Sequence, residues 1–136
     1  MTIINASPDN IIQLGYEGED KVTQIVFPYS AEWLAHGAGT FDVRVLRHGE
    51  SDPYNAEYVT DDAENMTLTL TVTDVELSVK GMGEMQVVYS SADFVKKSPI
   101  YRYYVSRAID GDPVTPPSGR INPNIAVAVF NLRNDT

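Results

Sequence analysis

Residues 66–91 read MTLTLTVTDVELSVKGMGEMQVVYSS. From Met66 to Val72 an apolar residue alternates with Thr, which places Met66, Leu68, Leu70 and Val72 on one face. That period of two marks a strand with one buried and one wet side. The rhythm breaks at Thr73-Asp-Val-Glu76, whose Thr and Glu stand at capping-box spacing, so a short helical turn is expected there. Gly81 and Gly83 supply residues that end such a turn. Alternation then returns in Met85, Val87 and Tyr89. The stretch therefore predicts a strand, a one- or two-turn crossing to a second sheet, and another strand. Val75 or Leu77 would plug the end of the sandwich.

The same alternation recurs on both sides. Ile11–Tyr16 places Ile12, Leu14 and Tyr16 together. Lys21–Phe27 follows a turn containing Gly18 and Asp20. Thr40–Leu46 turns Phe41, Val43 and Val45 inward, with Asp42 and Arg44 outward. Tyr54–Thr60 follows the turn HGESDP, and Tyr101, Tyr103 and Val105 close the series. About seven such strands, with no long helical pattern to cross over a parallel sheet, predict an all-β, antiparallel two-sheet β-sandwich. A second helical turn is expected where Ser30 caps Trp33 and Leu34, closed by Gly37 and Gly39. Trp33 reads either as a large residue covering the core edge or as a ligand-stacking platform.

The organisation changes after residue 109. Residues 1–110 read as the sandwich domain, and residues 111–136 as a Pro/Gly linker followed by an apolar run. DGDPVTPPSGRINPN is linker composition, and it leads into IAVAVFNL (Ile125–Leu132). That run, with Ile125, Val127, Val129 and Phe130, either folds back on its own sandwich or pairs with a neighbour's sheet edge.

Bulk properties narrow the function. A chain of 136 residues is one domain's length and buries a core without staples. With no cysteine there are no disulfides, thiolate metal sites or cysteine nucleophiles. The net charge of −9 repels nucleic acid and anionic lipid. It serves solubility, or else draws basic partners or divalent cations. The start, MTIINASPDN, lacks signal-peptide features, and no apolar run approaches the roughly 20 residues that span a bilayer.

Catalytic signals are sparse. His36 and His48 lie in glycine-containing turns, without a second histidine at metal spacing. No nucleophile elbow, P-loop or G-x-G-x-x-G is present. Asp61, Asp62 and Glu64 form an acidic cluster, and Asp110 to Asp112 resembles a fragment of a calcium loop. The first lacks EF-hand spacing, and the second has too few ligands. Lys96 and Lys97 read as a solvated hairpin. Tyr104 is left on the outer face of its strand, where a protein interface or a sugar would meet it.

The order IIQLGYEGEDKVTQIVF, GTFDVRVLRHGESDPYNA, VTDDAENMTLTLTVTDVELSVKGMGEMQVVY and KKSPIYRYYVSRAID resembles the immunoglobulin-like N-terminal domain of phage upper baseplate or tail proteins from Gram-positive hosts. The Thr-rich strand Leu68–Thr73, the turn Asp74–Leu77, Gly81 or Gly83, and the Ser98-Pro99 step carry that resemblance over residues 10–110. It implies an immunoglobulin-like sandwich with a non-catalytic, structural role in a virion, made in a bacterial cytoplasm. It also implies no cofactor, and partners among other phage structural proteins or further copies of the chain. Trp33, Tyr104 and the run containing Ile125, Val127, Val129 and Phe130 are the expected contact residues. The alternative is a carbohydrate-binding sandwich that uses Trp33 and the surface tyrosines on a cell-wall polysaccharide. A hydrolase would draw on His36 or His48.

Overall fold

The computed structural model describes residues 1–35, 37–109 and Pro116. Ten strands and one helical turn follow in chain order: β1 (Thr2–Asn5), β2 (Ile12–Tyr16), β3 (Thr23–Pro28), α1 (Ala31–Leu34), β4 (Gly39–Leu46), β5 (Tyr54–Asn55), β6 (Val59–Asp62), β7 (Thr67–Val72), β8 (Gly81–Ser91), β9 (Val95–Lys97) and β10 (Tyr101–Ser106). They form two sheets. One runs β1-β3-β7-β6, and the other runs β2-β10-β8-β4-β5, with β9 also on β8. In the immunoglobulin plan, strands A, B, E and D face G, F and C. Here β1, β3, β7 and β6 take the first set and β10, β8 and β4 the second, with β5 beyond β4.

The alternating residues meet between the sheets. Leu68, Leu70 and Val72 of β7 face Val43, Val45, Met85 and Val87, all essentially without solvent contact. Each such side chain contributes ~1.5–3 kcal/mol relative to exposure. Among the described residues no helix is long and apolar enough to cross a membrane.

Several expectations need correction. The sheets are mixed, since β1 runs parallel to β3 and β2 parallel to β10. The chain breaks at Ala6–Asn10, around Pro8, and continues on the opposite sheet. Each half therefore meets a strand that is not its chain neighbour. The four residues of β1 are too few to carry an alternation signal. Tyr54–Thr60 divides into two strands for a related reason. Ala56 N–H still donates to Val43 O (2.8 Å), while Tyr58 O already accepts from Thr71 N–H (2.9 Å) on the other sheet.

Tyr16 does not share a face with Leu14. The pairing slips after Tyr104, Gly15 takes φ +141°, and Tyr16 is left 57% exposed. Met66 adopts φ +54° in the turn before β7 and is exposed. Gly81 takes φ +109° where the turn ends and opens β8, as expected, whereas Gly83 lies inside the strand.

The crossing from β7 to β8 is a single turn. Glu76 Oε1 accepts from Thr73 N–H (2.8 Å) and from its hydroxyl (3.0 Å), while Thr73 Oγ1 accepts from Val75 N–H (3.2 Å). Leu77 plugs the core and Val75 stays exposed. At α1, Ser30 Oγ accepts from Glu32 N–H at 3.2 Å, as its position predicts. Gly37 follows with φ +94°, whereas Gly39 opens β4.

Candidate interaction surface

Because Val43, Val45, Met85, Val87, Tyr101 and Tyr103 point inward, their strand neighbours must point out. These are Arg44 and Leu46 on β4, Met82, Glu84 and Gln86 on β8, and Arg102 and Tyr104 on β10. The register sets their contacts. Arg44 lies opposite Gln86, and Leu46 opposite Glu84. Arg102 lies opposite Glu84, and Tyr104 opposite Met82. Glu84 thus stands between an apolar neighbour on one strand and a guanidinium on the other.

A groove of about 150 Å³ crosses this face, lined by Arg44, Leu46, Pro53, Glu84, Gln86 and Ile100. A second hollow of about 250 Å³ shares Leu46 and Glu84 and adds Met82 and Arg102. Ile100 is 50% exposed and Tyr104 38%. Aliphatic floor, flanking arginines and an exposed tyrosine are the composition of protein interfaces.

One end of the face is fixed by Arg47. Its guanidinium donates to both Glu50 oxygens (2.9 and 2.6 Å), to Val75 O (3.1 Å) and to Ser78 Oγ (2.8 Å). It also lies 5.3 Å from the Tyr54 ring centroid. The bond from Arg47 holds the Glu50 carboxyl below its usual range, and the same bond raises Arg47. Behind it, Tyr54 OH donates to Glu76 Oε2 at 2.8 Å. Burial and, next, that carboxylate push the Tyr54 phenol far up.

Trp33 sits elsewhere. It is 6% exposed within an aromatic plug, 5.9 Å from Tyr29 and 6.3 Å from both Phe41 and Tyr89. Tyr29 OH donates to Asp61 (2.7 Å), and Tyr89 OH donates to Gly37 O (2.6 Å). Burial, followed by the Asp61 bond, raises the Tyr29 phenol well above its ordinary value. The plug and Tyr104 are not brought together. Tyr89 and Met82 are seven residues apart on β8, about 23 Å at ~3.3 Å per residue. Ile125, Val127, Val129 and Phe130 lie outside the described residues, as do His36 and Asp110–Asp112.

Asp62 and His48, both singled out in the sequence, are engaged internally. Asp62 accepts from Asn65 N–H (3.3 Å) and from its amide (2.8 Å), closing the β6–β7 hairpin. His48 places Nδ1 3.1 Å from Met82 O. Among the described residues no three His, Cys, Asp or Glu side chains are grouped to hold a metal ion. Sequence reasoning missed Arg44, Leu46, Met82, Glu84 and Arg102 as one surface. The available signal was Gly83: read as strand rather than turn, it would have placed Met82 and Glu84 on the outer face.

No family model matches the chain, and no curated protein matches it. Among solved structures, the N-terminal domain of phage TP901-1 ORF48 shares the fold. Its TM-score is 0.53 at 16% identity, over 77% of this chain and 97% of that one. At that identity the likeness is one of fold.

Proposed function

We propose that the chain is a structural protein of a phage or prophage particle, belonging to its baseplate or tail and working through protein contacts. The observation that carries this reading is the sandwich it shares with the TP901-1 ORF48 domain across nearly all of that domain. The sequence resemblance drawn from residues 10–110 points the same way. The outer face of the six-stranded sheet, with Arg44, Leu46, Met82, Glu84, Ile100, Arg102 and Tyr104, supplies a contact surface of suitable composition. Its mixed charges favour selectivity for one partner over raw affinity. The carbohydrate-binding alternative has one of its two stacking elements, Trp33, inside the aromatic plug, so the protein-contact reading is preferred.

The test is the protein content of density-banded particles from the phage or induced prophage that encodes the chain. Mass spectrometry should find the chain in stoichiometric amount with the tail proteins. Its absence from intact particles would overturn the reading. Saturable binding of cell-wall polysaccharide by the isolated protein would instead favour the sugar-binding alternative.

A further inference from the structure

The charges of this chain are not spread evenly. Every described Lys and Arg except Lys21 lies in, or directly beside, a strand of the six-stranded sheet. Its strands carry Arg44, Lys96, Lys97 and Arg102 against Asp42 and Glu84. Those of the four-stranded sheet carry Asp61 and Asp62 and no base. On a chain of net −9, the six-stranded sheet is therefore the side that draws anionic groups.

Register arranges the middle of its outer face as two rows of three. Leu46, Glu84 and Arg102 form one row. Arg44, Gln86 and Ile100 form the other, since Ile100 directly precedes the Tyr101–Met85 pair. The two guanidiniums thus occupy one diagonal and the two aliphatic side chains the other, and the groove of about 150 Å³ runs among Arg44, Leu46 and Ile100. Arg102 is exposed and Arg44 half-buried. Among the described residues neither pairs with a carboxylate, and the ion pair found there joins Arg47 to Glu50. By ~4.8 Å per strand and ~3.3 Å per residue, the Arg44 and Arg102 backbones stand about 12 Å apart.

Whatever covers this patch takes both arginines out of water, and a buried charge without a partner is costly. The occupant must therefore bring acceptors to the two guanidiniums and an aliphatic group to the groove. A volume of about 150 Å³ falls short of the ~300–1,000 Å³ of small-molecule pockets and suits a single side chain. In an extended segment, residues i and i+4 point the same way about 13 Å apart, with residue i+2 between them. We propose that this patch recognises an extended acidic segment of a different protein, in which an aliphatic residue stands midway between carboxylates at i and i+4. The inference rests on the reading of this face as a protein-contact surface and names the partner's chemistry.

Other occupants fit less well. A polyanion, such as a phosphate-rich wall polymer, would lay charge across Glu84, which stands in the column between the arginines. A second copy adds its own net −9 and is repelled. The chain's own residues 113–134 include Arg120 and Arg133 but no Asp or Glu, so they lack the carboxylates that the patch requires.

Selection of binders to the full chain from a randomised peptide library tests this. Enriched peptides should share an acidic-x-aliphatic-x-acidic pattern. A synthetic peptide of that consensus should bind in isothermal titration, and more weakly as salt rises. Arg102→Ala should weaken the binding about tenfold, the size of one charge-assisted pair, and Arg44→Glu/Arg102→Glu should abolish it. The exposed Arg102 carries the test alone if the double variant fails to fold by circular dichroism. No enriched pattern, a pattern without carboxylates, or affinity unchanged by Arg102→Ala would overturn the proposal. Competition by poly(glycerol phosphate) would also overturn it, assigning the arginines to an anionic wall polymer. An Arg102-dependent rise of mass with concentration in light scattering would do so too, assigning them to a second copy. A chain present in particles that selects no acidic pattern would leave the proposed function standing and sink this recognition alone. A chain absent from particles that does select it would do the reverse.

Discussion

Tyr103 lays its ring over Gly83, its cross-strand partner, where a Cβ would overlap the ring. The glycine is thus needed for room rather than for an unusual φ, and the aromatic ring covers the backbone that it leaves bare. Gly83→Ala should destabilise the protein by ~1–3 kcal/mol, as overpacking of a filled site does. A lower urea midpoint with unchanged slope would record it. The same tyrosine buries its hydroxyl without a partner among the described residues. Leaving such a group unsatisfied costs ~1–3 kcal/mol, so Tyr103→Phe should hold stability or raise it by ~1 kcal/mol, read from the same titration. Glu76 is the opposite case. It is buried, and its carboxylate serves Thr73 and Tyr54 together. Glu76→Ala strands those donors, and a loss of ~2–4 kcal/mol in chemical denaturation is expected.

At the scale of elements, the Ser98-Pro99 step shows how one strand is broken without loss of a bond. Between β9 and β10 the chain leaves the ladder. Ser98 Oγ then accepts from Val87 N–H at 2.9 Å and donates to Pro99 O at 2.8 Å, while Ser98 N–H donates to Val87 O at 2.9 Å. Gln86 adds a bond from its amide to Ser98 O at 2.7 Å. The step lets Ile100 stand out over the groove. Ser98→Ala leaves Val87 N–H buried and unpaired, at a cost of ~1–3 kcal/mol. The loss should appear in hydrogen exchange as faster exchange at Val87, before the far strands are affected. Serine before proline was visible in the sequence, but its acceptor role depends on β8 passing alongside.

For the molecule as a whole, the tyrosines set an alkaline limit. Burial raises Tyr101 and, with the Glu76 charge as a second cause, pushes Tyr103 up to about 12. Tyr29 and Tyr54 move in the same direction. An unfolded tyrosine ionises near pH ~10. Folded values above that mean these groups favour the fold fully below pH ~10, and that this contribution is lost as pH climbs toward about 12. The urea midpoint should therefore fall steeply above pH ~10, and the fall should be shallower in Tyr103→Phe. A midpoint insensitive to pH across that window would contradict the burial of these rings.

Periodicity by itself determined that the chain is all-β, where most strands lie, and that Thr73–Leu77 carries it between sheets. Alternation encodes one buried face per strand, and the local pairing of Thr73 with Glu76 encodes the turn. What the tertiary structure decided was partnership. The break at Ala6–Asn10 split the first strand across two sheets, the slip at Gly15 turned Tyr16 outward, and Trp33 went into the plug. The contact face emerged only when register brought Arg44, Leu46, Glu84, Arg102 and Met82 side by side. A strand's pattern states which side is wet but not which strand lies beside it, because pairing energy comes from residues distant in the chain.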